Sequence, residues 1–161
     1  MYVIFLIVRN NLYQDGSKDI IMINLLKDII YANDTTYSTL SFFMILNENL
    51  IKDYKEILIM FDHLLENNKF DEETRDLLIY KKAVYSSNYI DESELLNVLK
   101  PLLSKESIWE PHALLIMGDF FVSKKEYSKA KEFYVEIMSI KNLQPNIYDK
   151  AKSQLEFIDN K

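Results

Sequence analysis

Apolar side chains recur along the chain at i, i+4 and i+7, the spacing that lays three of them on one face of a helix. Four such triplets stand out: Met22, Leu26 and Ile29; Ile57, Phe61 and Leu64; Leu95, Leu99 and Leu102; Ala130, Tyr134 and Ile137. Their first members lie 35, 38 and 35 residues apart. Ile45, Ala83 and Gly118 each stand 12 residues upstream of a later triplet, inside a second amphipathic stretch: "YSTLSFFMILNENL", "TRDLLIYKKAVYSS" and "PHALLIMGDFFVSK". The short segments "IKD", "NYIDE" and "SKKE" separate the two stretches of each unit and read as turns.

Paired helices repeating at about 35 residues are the signature of a tetratricopeptide-type solenoid, in which each unit buries its apolar face against the next. The pattern therefore predicts one all-α domain over 1–161, a right-handed α-solenoid of antiparallel helix pairs. Its units fall at about 2–36, 37–68, 71–104 and 107–142, and a C-terminal capping helix at 145–158 closes it. The first unit is open to two readings. Its first helix runs from Tyr2 to Gln14 with "DGSKD" as the turn, or Tyr2 to Val8 is a severed anchor and a lone helix begins near Ile20.

Local signals mark the helix ends. Ser107 with Glu110, and Asp91 with Glu94, have capping-box spacing. Pro111 and Pro145 suit first turns, where a missing N–H is harmless. Pro101 should end its helix near Lys100. On the last helix Lys150 and Lys152 are expected to face water. Gly118 costs roughly 1 kcal/mol relative to alanine inside a helix, and its expected purpose is to let the first helix of the last unit approach Ala130.

Composition narrows the chemistry. Two glycines and three prolines in 161 residues leave little turn chemistry for hairpins, while 48% hydrophobic residues suffice for a core. The net charge of −6 and only two arginines, Arg9 and Arg75, argue against nucleic acid as a partner. Without cysteine there is no disulfide or thiol chemistry. Glycine-rich phosphate loops and GxSxG need more glycine than Gly16 and Gly118 supply. His63 and His112 form no ligand pair of HExxH type, and Glu72 with Glu73 reads as helix N-terminal charge. The expectation is a protein with no catalytic residue, no metal and no cofactor.

The last full unit resembles the tetratricopeptide pattern most closely. Leu114, Met117, Gly118, Phe121, Tyr127, Ala130 and Tyr134 occupy its positions, although Leu114 replaces tryptophan and Ile137 replaces the final small residue. From "ESIWEPHALLIMGDFFVSKKEYSKAKEFY" to "YDKAKSQLEFI" the C-terminal half further resembles the repeat domain of the ancillary SecYEG translocon subunit family of proteobacteria. Trp109, His112, Ala113, Gly118, Ala130 and Ala151 carry that likeness, with Lys150 in place of an arginine. The resemblance implies a periplasmic repeat domain on an inner-membrane anchor, acting in envelope protein traffic and chaperoning. Tyr2 to Val8 is seven residues against the roughly 20 of a spanning helix, so the chain as given reads as soluble, without signal peptide or complete anchor. Membrane attachment would require an anchor upstream.

The expected function is a non-enzymatic protein-interaction scaffold binding client or translocon proteins, or a second copy of itself. The alternative is a helical oligomerisation module or a truncated, degenerate family member. A partner groove is expected where first helices face inward: Phe42 and Leu46 in the second unit, Tyr80 and Val84 in the third, Leu115, Asp119 and Val122 in the fourth. It should be apolar and aromatic, with scarcely a basic group. Gly118, Ala130, Tyr134, Ala83 and Phe61 are the expected repeat-packing residues.

Overall fold

The computed structural model describes residues 16–104 and 107–161, and the readings made for Tyr2 to Gln14 fall outside them. The described residues are all-α. The helices are α1 (Gly16–Tyr31), α2 (Thr35–Asn47), α3 (Tyr54–Asn67), α4 (Glu72–Ser86), α5 (Glu92–Leu99), α6 (Glu110–Ser123), α7 (Tyr127–Ser139) and α8 (Pro145–Asp159). The chain divides into two compact units, Met1–Arg75 and Asp76–Lys161, the boundary falling within α4.

In the first unit α1, α2 and α3 pack on one another. Leu26, Ile30, Ile45 and Met60 fill the centre, with the Phe42 and Phe61 rings meeting edge to face at 4.5 Å. Phe42, expected on the groove, is thus 0% exposed and belongs to the core. The cause is the small residues beside it. Ser38 and Ser41 are fully buried on α2, and Ser38 Oγ donates to Ile29 O at 2.9 Å, holding α2 against α1.

The "DGSKD" turn is also corrected, because Gly16 to Asp19 are helical and α1 begins earlier than Ile20.

Caps follow the sequence unevenly. Asp34 and Asp53 cap α2 and α3 through Tyr37 N and Lys55 N. Asp91 forms the full capping box with Glu94. At α6 the Ser107–Glu110 box does not form: the helix starts after Trp109, and Ser107 Oγ instead accepts from Trp109 N at 3.1 Å. Pro101 stops α5 at Leu99, leaving an eight-residue helix.

The glycine shortage is met by other residues in the left-handed region. Asn33, Asn49, Asn142 and Lys125 all have φ between 51° and 62°. Asparagine enters this region most readily after glycine, and it suits helix C-termini. After α6, Glu126 N donates to Phe121 O and Lys125 N to Val122 O, the paired bonds of a Schellman end.

In the second unit α6 is central, packing on α5, α7 and α8, and α7 packs on α8. Residues 113–118 of α6 are buried without interruption, as befits a helix apolar all round. Ala130, Tyr134, Ile137 and Ala151 close the core from α7 and α8.

Candidate functional site

Gly118 is the starting point. A Cβ placed there would lie 2.6 Å from Tyr134 Cε1 and 2.7 Å from Tyr134 Cζ. The side chain that fills the space left by Gly118 is therefore the Tyr134 ring, a contact the sequence reading did not name. Ala130 is buried as well, and its small side chain belongs to the same face of α7 as Tyr134.

The ring sits there because its hydroxyl has a destination. Tyr134 Oη donates to Asp119 Oδ1 at 2.7 Å, and Lys150 Nζ donates to Asp119 Oδ2 at 2.9 Å. Burial, then the hydrogen bond to Asp119 and its charge, push the Tyr134 phenol far above its ordinary range, so it stays protonated and donating. One carboxylate on α6 thus ties α7 and α8 together. Lys150 and Lys152 are both exposed, as expected, and Lys150 is also this network's cation.

Beside the network lies a cavity of about 270 Å³. Tyr80 and Val84 of α4 line one wall, with Ser87 and Asn88 just beyond its end. The facing wall is His112, Leu115, Ile116, Asp119, Phe120 and Ser123 of α6, and Lys150 enters from α8. Val84 is 45% exposed, an apolar residue open at the mouth.

At one end His112 packs against Tyr80, with centroids 5.8 Å apart and planes at 82°, and against Trp109 at 5.3 Å. Tyr80 and Trp109 are themselves 5.2 Å apart. His112 Nδ1 and Trp109 Nε1 are buried without a hydrogen-bond partner. Burial first, then the nearby Lys150 charge, lowers the His112 pKa below 6.5, so the imidazole is neutral at pH 7. At the opposite end the last turns of α4 and α6 line the cavity, with Ser87 Oγ donating to Val84 O and Ser123 Oγ to Phe120 O.

Of the groove residues expected from sequence, the structure brings Tyr80, Val84, Leu115 and Asp119 into one cavity. Val122 is half-buried on α6 and does not line it; Leu46 is half-buried on α2, in the first unit. The packing residues Gly118, Ala130, Tyr134, Ala83 and Phe61 are all buried. Lys150 was missed, so the cavity is more polar than the sequence predicts. Its available signal was a basic residue directly before the buried Ala151, one turn after the buried Ile147.

Among the described residues no group of His, Cys, Asp or Glu could hold a metal ion. No helix among them is long and apolar enough to cross a membrane. The chain matches no protein-family model, no curated protein and no solved structure.

Proposed function

We propose that this chain is a non-enzymatic protein-interaction scaffold of tetratricopeptide-like helix pairs, a right-handed solenoid closed by α8, and that the cavity between α4 and α6 receives a segment of its partner. The observation that carries this reading is the cavity itself. It joins an exposed apolar residue, Val84, to hydrogen-bonding groups at both ends, the mixture by which a groove anchors a side chain while orienting the main chain. Nothing in it pairs a nucleophile with a base, because its serines spend their hydroxyl protons on backbone carbonyls.

Trp109, His112 and Ala113, which carry the likeness to the ancillary SecYEG translocon subunit family, sit at or beside this cavity. That makes secreted and translocon proteins of the bacterial envelope the partners to examine first, with the chain at the periplasmic face of the inner membrane.

The test is selection of binding peptides on the full chain from a random library, followed by affinity measurement on two variants. Val84→Asp, at the mouth, is expected to lose binding, whereas Val135→Asp, on an exposed position of α7 outside the cavity, keeps it. Selected peptides that bind both variants as tightly as the parent would remove the cavity from the function.

A further inference from the structure

The cavity has a charge logic of its own, and we propose that its occupant is an internal acidic–aliphatic segment of a partner protein, whose carboxylate meets Lys150 and His112 while a neighbouring apolar side chain rests on Val84 and Leu115. This rests on the scaffold reading above and specifies its ligand.

The carboxylate already present in the cavity is spent. Asp119 Oδ1 accepts from Tyr134 and Oδ2 from Lys150. Lys150 is not spent. An ammonium has three N–H donors, one goes to Asp119, and the side chain is 51% exposed. His112, whose Nδ1 is buried without a partner, is the second group lining this end of the cavity. In a neutral ring one nitrogen donates and the other accepts, whereas in the protonated ring both donate. A carboxylate arriving between His112 and Lys150 gives the ring a counter-charge as soon as it takes up a proton. The added negative charge and the added proton cancel, leaving the Lys150–Asp119 pair balanced as before.

The cavity's polarity is fixed by its far end. There the last turns of α4 and α6 present the negative ends of two helix dipoles, so an anion is favoured only beside His112 and Lys150. Size points the same way. At about 270 Å³ the cavity falls below the roughly 300–1,000 Å³ of small-molecule sites, yet it accommodates one side chain and a carboxylate. No arginine lines it to grip a carboxylate in two places. A single-point contact to a half-exposed lysine suits an aspartate or glutamate side chain on a segment running past the mouth better than a chain end.

The experiment uses fluorescent peptides of alternating glutamate and leucine, glutamine and leucine, and lysine and leucine, titrated with the full chain. The acidic peptide should bind about tenfold more tightly than the glutamine peptide, the ratio expected from one charge-assisted contact. Lys150→Met should erase that ratio, so that the acidic and glutamine peptides bind this variant equally. Lowering the pH from about 7.5 to about 6 should tighten the acidic peptide's binding through proton uptake at an imidazole, and His112→Gln should flatten this response. Equal affinity for the acidic and glutamine peptides, or preference for the lysine peptide, overturns the acidic ligand and leaves the groove intact. If none of the three binds, the acidic ligand is overturned too, and the groove is judged by the library selection alone. Circular dichroism of each variant separates a lost contact from a lost fold.

Discussion

The Tyr134 ring occupies the space that a methyl group on Gly118 would need, its Cε1 lying 2.6 Å from where that carbon would be. The ring cannot easily retreat: it is fully buried, and its hydroxyl is bonded to Asp119 at 2.7 Å. Gly118→Ala gains roughly 1 kcal/mol of helix propensity but overpacks the contact by about 1–3 kcal/mol. A net loss of stability in urea unfolding is expected. In a Tyr134→Leu background, where the ring is gone, the same substitution should become neutral or stabilising. A stabilised single variant would refute the close approach.

Tyr134→Phe keeps the ring and removes only its donor. A hydrogen bond to a charged group contributes about 1.5–3 kcal/mol, and the part-exposed Asp119 regains some of this from water. A loss near 1.5 kcal/mol is expected. Because Asp119 also accepts from Lys150, Tyr134→Phe and Lys150→Met should be non-additive in a double-mutant cycle. Strict additivity would mean the three groups do not act as one network.

Lys125 ends α6 at φ 62°, a region costly to a residue with a Cβ and free to glycine. Lys125→Gly should therefore stabilise the protein by about 0.5–1 kcal/mol, after the greater freedom of glycine in the unfolded chain is subtracted. Thermal unfolding checks this, and a lower midpoint would count against the left-handed cap.

The pKa of His112 is lowered in the folded state, by burial and then by Lys150. The unfolded chain therefore binds the proton first as pH falls. Stability from this site is intact above about 6.5 and declines as the pH drops from there through the folded value. His112→Gln cannot take up that proton, so its stability relative to the parent should improve between pH 7 and pH 5, as read by urea midpoints. A pH-independent difference would show that His112 titrates alike in both states.

Much of this protein was legible from within single turns of chain. Helix periodicity, the Asp91–Glu94 box and the Pro101 stop each depend on residues a few positions apart, and their geometry is set by covalent proximity. The same reasoning misread Ser107, whose spacing to Glu110 matches the box at Asp91, because its oxygen accepts from the nearer Trp109 N. Asparagine and lysine in place of glycine at helix ends could not be told from ordinary polar residues.

Amino-acid order alone determined that the described chain is helical, that Asp91 and Pro145 open helices and Pro101 closes one, and which faces are apolar. Tertiary packing decided that Phe42 is core rather than groove, that the Tyr134 ring fills the space beside Gly118, and that Lys150 reaches Asp119. Periodicity gives the direction in which a side chain leaves its own helix. What it meets depends on the rotation and separation of neighbouring helices, which the volumes of small residues such as Ser38, Gly118 and Ala130 set collectively.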